Sequence, residues 1–205
     1  MQFREDIQVL RGVSVLFVLL FHLNIFGFQS GFLGVDAFFV ISGYLMALLF
    51  DEGTPLDFYI RRFRRLFPAY ALTVVSTLCI ASLITIPTDF RQVVDQSLFA
   101  SIFSSNIGFW LQGDYFSKAE FNPLLHLWSL GLEAQFYLMV PLLFLLLKHR
   151  KPLTILLALF SLVTCLVVAS ISPKTAFFHI PFRLWEFLLG AIVAWYFTNT
   201  PPQHP

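Results

Sequence analysis

Long apolar runs separated by short polar segments dominate the pattern of hydrophobic and polar positions along this chain. A helix that spans a bilayer needs about 20 mostly apolar residues. Six runs reach or approach that length, and each predicts a membrane-spanning helix: 7–26, 32–50, 68–86, 126–147, 153–171 and 181–197. A seventh run, 97–111, is shorter and carries several serines and an asparagine, which favours a re-entrant or interfacial element.

The composition agrees with this pattern and excludes other classes of protein. Hydrophobic residues make up 58% of the 205 residues, and charged residues only 12%. A soluble domain of this size needs a more polar surface, and a net charge of +1 argues against a nucleic-acid partner. Cys79 and Cys165 lie inside apolar runs and indicate neither a disulfide framework nor a metal site. We therefore expect an all-α polytopic membrane protein with about six transmembrane helices and one re-entrant or interfacial segment.

Basic residues in the short connections predict how the helices are oriented, because such residues accumulate on the cytoplasmic side. The segments 51–67 and 148–151 are strongly basic and are expected in the cytoplasm, whereas the uncharged connection 27–31 is expected outside. Placing 148–151 inside requires that 97–111 does not cross the bilayer. The N terminus is then cytoplasmic, and the loop charges divide into an inner set (Arg4, Arg61, Arg62, Arg64, Arg65, Lys148, Arg150, Lys151) and an outer set (Arg91, Lys118, Lys174).

Ionisable side chains within the predicted spans are the main candidates for function, because a charge at membrane depth is costly unless it is paired or hydrated. Arg11 and His22 lie eleven residues apart in the first span, which places them on one helix face and about 16 Å apart along the axis. His22 then faces outward as a potential base, and Arg11 lies in the inner half. The alternative for His22 is an imidazole that is hydrogen-bonded in a packed core.

The second span adds a carboxylate at a depth similar to that of His22. Asp36 lies about one turn below the outer end of this span, where it is expected to orient the imidazole and stabilise its charged form. Gly31 and Gly34, just above it, allow another backbone to approach closely. Ser42 lies deeper and is expected to face the same groove.

The fourth span carries a polar stripe. His126, Ser129 and Glu133 are spaced i, i+3 and i+7 and therefore share one helix face. His126 is alternatively an interfacial group whose polar end reaches water. Trp128 is expected to be an anchor at the membrane interface.

Two further groups of charges remain. Arg183 and Glu186, at i and i+3 near the outer end of the last span, predict a local salt bridge. Four arginines on the cytoplasmic side form two overlapping R-x-x-R pairs: Arg61, Arg62, Arg64 and Arg65. They are interpreted either as residues that fix topology and contact anionic lipids or as phosphate ligands, since guanidinium groups match phosphate oxygens. The two interpretations are compatible.

Together these motifs resemble the N-terminal part of the integral-membrane acyltransferases of acyltransferase family three, which O-acetylate cell-surface sugars. The matching segments follow the family's order across nearly the whole chain: Leu10-Arg11-Gly12 with His22, then 31–44, 61–68, 126–137 and 183–190. The resemblance implies an acyltransferase that uses acyl-CoA, usually acetyl-CoA, as a cytoplasmic donor substrate and not as a resident cofactor. It implies a carbohydrate acceptor, namely a hydroxyl of an envelope polysaccharide, a lipopolysaccharide or a glycolipid.

The resemblance also implies that Arg11, His22 and the R-x-x-R pairs matter for activity. From the charges within the spans together with this resemblance, the candidate catalytic residues are His22, as a general base or transient acyl carrier, Asp36 and Glu133. The candidate ligands of donor and acceptor are Arg11, Arg61, Arg62, Arg64, Arg65, Ser42, His126 and Ser129.

The chain departs from the family pattern at two points. Ala134 replaces the second acidic residue of the Trp-Ser motif, so that only Glu133 remains. Family members also carry more spans, and we therefore expect 1–205 to be a single, truncated acyltransferase-like domain with a frayed tail over 198–205. A fragment, a degenerate gene product and a genuinely shortened member are the three options. A separate chain that supplies the missing helices is one option. The alternative functions are a non-catalytic remnant and a carrier or flippase for a lipid-linked sugar, which also needs charges within its spans.

Overall fold

The structure, a computed structural model, describes residues 5–50, 54–112 and 121–197, with side chains as far as Trp195. Arg4, Lys118 and the tail 198–205, which the sequence predictions include, lie outside the described residues. Those residues form helices and contain no strand, so the all-α prediction is confirmed. The helices are α1 (Glu5–His22), α2 (Leu33–Leu49), α3 (Pro55–Ile84), α4 (Pro87–Ser101), α5 (Ser105–Gln112), α6 (Leu127–Leu147), α7 (Lys151–Ile171), α8 (Pro173–Phe178) and α9 (Ile180–Phe197).

Three of the described helices, α3, α6 and α7, are long and apolar enough to cross a membrane. The helix α2 is also apolar but has 17 residues. Large apolar side chains such as Leu156 and Leu166 on α7 remain more than half exposed. A lipid-facing surface accounts for such exposure, because hydrocarbon solvates these side chains without cost. The count of about six spans stays a prediction.

The helix α3 begins well before the predicted span 68–86, so the arginine cluster is helical and does not lie in a loop. Thr54 caps the helix, since its hydroxyl oxygen accepts the backbone N–H of Asp57 at 3.2 Å and donates to the Asp57 carboxylate at 2.7 Å. Pro55 occupies the first turn, where its missing N–H has no consequence. The helix continues through Pro68 to Ile84.

The polar segment 97–111 forms the end of α4, a break at 102–104 and the start of α5. Phe103 in the break has a φ of 55°. Asn106 is 1% exposed, and its amide group donates to the carbonyl of Phe178 at 3.0 Å and accepts from the Gln135 amide at 2.9 Å. Protein therefore covers these polar groups, a condition for placing them at membrane depth.

The most extensive helix pairing is between α2 and α9, and two glycines make it possible. A β-carbon at Gly43 would lie 1.9 Å from the carbonyl oxygen of Phe187, and one at Gly190 would lie 1.9 Å from that of Val40. The backbones cross in van der Waals contact only because neither residue has a side chain. This crossing fixes α9 against one face of α2.

The helix α1 packs against α2 through a second pair of glycines. A β-carbon at Gly31 would lie 2.2 Å from the carbonyl oxygen of Phe17, and one at Gly34 would lie 2.4 Å from that of Ser14. The predicted close approach at these glycines is therefore confirmed. It holds the helix that carries Arg11 and His22 beside the helix that carries Asp36 and Ser42.

Stacked aromatic rings form the core between α2, α6 and α9. The ring centroid of Phe187 lies 4.7 Å from that of Phe39 and 4.2 Å from that of Phe136. Trp128 joins this core with 2% exposure and packs 4.3 Å from Phe177 of α8. The prediction of an interface anchor at Trp128 is wrong, because α8 covers the indole and the buried side chain faces neither lipid nor water.

Candidate functional site

Glu133, the seventh residue of α6, is the centre of a hydrogen-bonded network. Its Oε1 atom accepts hydrogen bonds from the hydroxyl groups of Ser42 on α2 and Tyr137 one turn further along α6. Ser42 is 6% exposed and Tyr137 is 7% exposed. Two hydroxyl donors on one oxygen, one from each helix, hold the Glu133 side chain in one orientation. Sequence reasoning missed Tyr137, although its i+4 spacing from Glu133 is a usable signal.

Two arginines approach this network from other helices. Arg62 of α3 is 9% exposed, and its guanidinium carbon lies 6.0 Å from the ring centroid of Tyr137. It also interacts electrostatically with Glu133. Arg11 of α1 interacts electrostatically with Glu133 and Tyr137. Four predicted site residues, Arg11, Ser42, Arg62 and Glu133, are thus brought together.

The structure divides the four clustered arginines into two kinds. Arg62 is buried against α6, whereas Arg61, Arg64 and Arg65 are exposed. Arg65 lies one turn beyond Arg62 and interacts electrostatically with Arg62 and Arg11. Sequence reasoning treated the four as one group, because motif spacing does not show which side of α3 meets α6.

An ion triad joins α2 and α9. Arg183 donates from Nη1 to Glu186 at 2.8 Å, which confirms the predicted local salt bridge, and from Nη2 to Asp36 at 2.7 Å. The prediction that Asp36 orients His22 is wrong, because the Asp36 carboxylate binds Arg183 instead. The crossing of α2 with α9 places a guanidinium beside Asp36, and that guanidinium binds the carboxylate.

Aromatic rings surround the guanidinium group of this triad. The Cζ atom of Arg183 lies 5.3 Å from the ring centroid of Phe177, 5.6 Å from that of Phe39 and 5.9 Å from that of Trp128. Cation–π contacts are strengthened when the cation is desolvated, and the Arg183 side chain is only 11% exposed. Rings and carboxylates together fix this arginine in place.

The two histidines of the predicted site lie near each other. His22 is exposed in the last turn of α1, and His126, just before α6, interacts electrostatically with it. Ser129 donates its hydroxyl hydrogen bond back to the carbonyl of His126 at 3.3 Å. The residues of the predicted polar stripe on α6 therefore have different partners. His126 lies close to His22, whereas Glu133 binds Ser42 and Tyr137.

Comparison with known proteins identifies the family. The family model described as an acyltransferase domain matches residues 4–205. The chain belongs to this acyltransferase family. The O-acetyltransferase OatA of Staphylococcus aureus is 38% identical to it over 201 residues, which cover 90% of this chain and 33% of OatA. BcsY of Komagataeibacter xylinus, named as a membrane-bound transacylase, is 36% identical over 208 residues, which cover 93% of this chain and 50% of BcsY.

No solved structure matches this acyltransferase-family chain. The chain spans between a third and a half of the length of these two relatives. Family membership and the apolar helices α3, α6 and α7 together establish a membrane protein. The family resemblance drawn from the motifs is therefore confirmed, and the whole Glu133 network lies inside the matched region.

Proposed function

We propose that this chain is part of a membrane O-acyltransferase that moves an acetyl or other acyl group from acyl-CoA to a hydroxyl of a cell-surface polysaccharide or glycolipid. The observation that carries the proposal is the Glu133 network with Arg11 and Arg62 beside it. Such a concentration of ionisable groups in an apolar bundle is costly and is usually retained for a function. The family and its relatives OatA and BcsY supply the class of reaction.

In the proposed reaction His22 is the base. Its imidazole removes the proton from the acceptor hydroxyl, the oxygen attacks the thioester carbonyl carbon, and the carbon–sulfur bond breaks. The departing CoA sulfur takes up a proton from the imidazolium, which restores the neutral histidine. In the second route the His22 nitrogen attacks the thioester carbonyl carbon, the carbon–sulfur bond breaks, and the CoA sulfur leaves with the imidazole proton. The acceptor hydroxyl then attacks the acyl-imidazole, and its proton returns to the freed histidine nitrogen. A positioned base contributes about 10²–10⁴ in rate, and the exposure of His22 suits both routes.

The remaining candidates are assigned to the two substrates. Arg11 and the arginines at Arg61, Arg62, Arg64 and Arg65 hold the phosphates of the donor or guide the thioester inward. Glu133, His126 and Ser129 line the acceptor side, with Ser42 holding the Glu133 carboxylate. Asp36 acts as a positioning residue, because its carboxylate is bound by Arg183.

The proposed orientation places the N terminus and the arginine cluster on the cytoplasmic face of the plasma membrane, where acyl-CoA is available. His22 then lies towards the outer face, where an envelope carbohydrate is found. The relatives are two to three times as long as the matched region. We therefore propose that further helices, in the same chain or in a separate one, complete the substrate sites.

The test of this function is the ester-linked acetate content of the envelope polysaccharide in cells that produce the full-length protein. His22→Ala and Arg11→Ala are expected to reduce acetate to the level of cells without the protein. The matched control is His149→Ala, an exposed histidine beyond the end of α6. Normal acetylation by His22→Ala, with an active wild type, contradicts the catalytic assignment. Transport of a lipid-linked sugar without acyl transfer, in vesicles given labelled acetyl-CoA, favours the carrier instead.

A further inference from the structure

The turn between α1 and α2 forms a cavity beside His22. Its volume is about 250 Å³, and it is lined by Phe21, Asn24, Ile25, Phe26, Phe28 and Gln29. The ring centroid of Phe21 lies 5.3 Å from that of His22, so a single aromatic side chain contacts both the cavity and the proposed base. Sites for drug-sized ligands have volumes of about 300–1,000 Å³, and this slightly smaller cavity is therefore suited to a ligand with one ring.

Contacts with α1 and α2 hold the walls of the cavity in place. The ring centroid of Phe28 lies 5.7 Å from that of Phe17 on α1. The ring of Phe21 packs against that of Phe32, just before α2, at a centroid distance of 5.7 Å. Within the turn, the backbone N–H of Phe28 donates to the carbonyl of Ile25 at 3.1 Å. The walls are thus formed before any ligand arrives, as is usual for small-molecule sites.

Three side chains around the cavity are exposed and contribute little to the packing of the turn. The ring of Phe26 is 94% exposed. Asn24 and Gln29 are exposed as well, and their carboxamide groups form no hydrogen bond with any residue that the structure describes. The φ of 53° at Asn24 accounts for the residue type there, because asparagine tolerates the left-handed conformation. Phe26 and Gln29 have no such backbone requirement.

The lining of the cavity favours a neutral ligand that has both hydroxyl groups and a C–H face. None of the six lining residues is charged, so nothing among them balances an ion. A carboxamide both donates and accepts hydrogen bonds, which matches hydroxyl groups that do the same. The face of an aromatic ring is electron-rich and attracts the partly positive C–H groups of a saturated ring. A lipid tail would engage Phe26 and Ile25 but would leave the two amides without partners.

We infer that the turn 24–29 binds one sugar ring of the acceptor. The C–H face of the sugar lies on the ring of Phe26, and its hydroxyl groups are hydrogen-bonded to the carboxamides of Asn24 and Gln29. The inference rests on the proposed function, in which a carbohydrate hydroxyl reacts at His22. It adds the residues that hold the carbohydrate, and it makes the turn a determinant of acceptor affinity that is separate from donor binding and from proton transfer.

The probe for this site is the envelope polysaccharide of the producing cells, stripped of acetate with mild base and immobilised on a sensor. Binding of the full-length protein in nanodiscs is measured by biolayer interferometry without acyl donor. Phe26→Ala, Asn24→Gly and Gln29→Ala are each expected to weaken binding about threefold to tenfold. Glycine is chosen at position 24 because it keeps the left-handed backbone. The controls are Phe160→Ala, which removes a 65% exposed phenylalanine from α7, and Gln8→Ala, which removes an exposed amide near the other end of α1. Both should bind as the wild type does.

Two further substitutions separate sugar binding from insertion of the turn into the membrane surface. Phe26→Trp keeps an aromatic face and should retain the affinity for the polysaccharide. Phe26→Leu keeps only the apolar character and should bind as weakly as Phe26→Ala. Full recovery by Phe26→Leu would assign the side chain to the lipid interface and overturn the inference. A thermal unfolding curve shows whether each variant is folded.

Acyl transfer from labelled acetyl-CoA to the same polysaccharide in solution is the second measurement. Phe26→Ala should raise the KM for the polysaccharide about threefold to tenfold, while kcat and the KM for acetyl-CoA stay unchanged. A loss confined to kcat, or binding equal to that of the wild type in all three variants, overturns the inference and leaves the proposed function in place. A wild type that does not bind the polysaccharide also overturns the inference. A wild type that binds the polysaccharide through Phe26 but transfers no acyl group overturns the proposed function alone.

Discussion

Ser42 of α2 and Tyr137 of α6 donate their hydroxyl hydrogen bonds to the same oxygen atom, Oε1 of Glu133. The two residues are far apart in sequence, and the shared acceptor ties their helices together at one carboxylate. Since both donors are buried, neither is easily replaced by water. The orientation of the Glu133 carboxylate therefore depends on both hydroxyl groups.

Tyr137→Phe removes one of these donors and little else. A hydrogen bond to a charged group contributes about 1.5–3 kcal/mol, which corresponds to about a tenfold to hundredfold loss if Glu133 acts in the proposed acyl transfer. The measurement is the initial rate of labelled acetate transfer by the full-length protein. The matched control is Tyr59→Phe, whose lost hydroxyl donates to the Leu138 carbonyl at 2.9 Å and lies outside the network. Equal losses in the two variants would contradict a specific role for Tyr137.

The ion triad predicts a difference in stability between two substitutions. Arg183→Ala leaves Asp36 and the fully buried Glu186 without their cation and should lower the free energy of unfolding by about 3–5 kcal/mol. Asp36→Ala should cost less, because Arg183 keeps Glu186. Denaturant unfolding of the full-length protein in detergent measures both effects. Arg91→Ala, which removes an exposed arginine on α4, is the control. If all three variants had the same free energy of unfolding, the triad would not contribute to stability.

The glycine crossing of α2 and α9 predicts that a single methyl group is enough to separate the helices. Gly43→Ala and Gly190→Ala each place a β-carbon 1.9 Å from a backbone oxygen, which a rotamer change does not relieve. Overpacking of this kind costs about 1–3 kcal/mol, and more where backbones must move. Gly12→Ala is the matched control, since a β-carbon there has no atom within 4 Å and alanine favours the helix. The thermal unfolding temperature should fall for Gly43→Ala and Gly190→Ala and should not fall for Gly12→Ala.

The sequence predicts the helices better than it predicts their ends and partners. The apolar runs identify the cores of α2, α6 and α7 to within a few residues. A single apolar segment in lipid satisfies its backbone hydrogen bonds only as a helix. The apolar runs do not include the first thirteen residues of α3, Pro55 to Phe67, although Thr54, Pro55 and Asp57 form a recognisable helix-start signal. The split of 97–111 at Phe103 depends on contacts with α6 and α8, which periodicity does not contain.

Ionisable residues within the predicted spans identify the candidate site, but the sequence predicts only some of the contacts that these residues make. Arg183 and Glu186 meet as expected, because i, i+3 geometry is local. The bond from Arg183 to Asp36 links positions 147 residues apart, and it depends on which face of α2 receives α9. The sequence position of Trp128 likewise does not show that α8 covers its indole, so the sequence predicts an interface anchor where the structure has a buried side chain.

The paired amides of Asn106 and Gln135 give a test of whether α5 is held against α6 by polar contacts. Asn106→Ala removes the partner of the Gln135 amide and of the Phe178 carbonyl, so it should destabilise more than Gln135→Ala, which leaves the bond from Asn106 to the Phe178 carbonyl in place. Hydrogen bonds between membrane helices contribute about 0.6 kcal/mol on average, and the double variant should show a coupling of about that size or larger. The free energies of unfolding of the wild type, the two single variants and the double variant, measured in detergent, give this coupling energy. Thr73→Ala, whose hydroxyl bonds to Ala69 of its own helix at 2.9 Å, should be nearly neutral. Strict additivity of the two amide substitutions would show that the pair does not hold α5 in place.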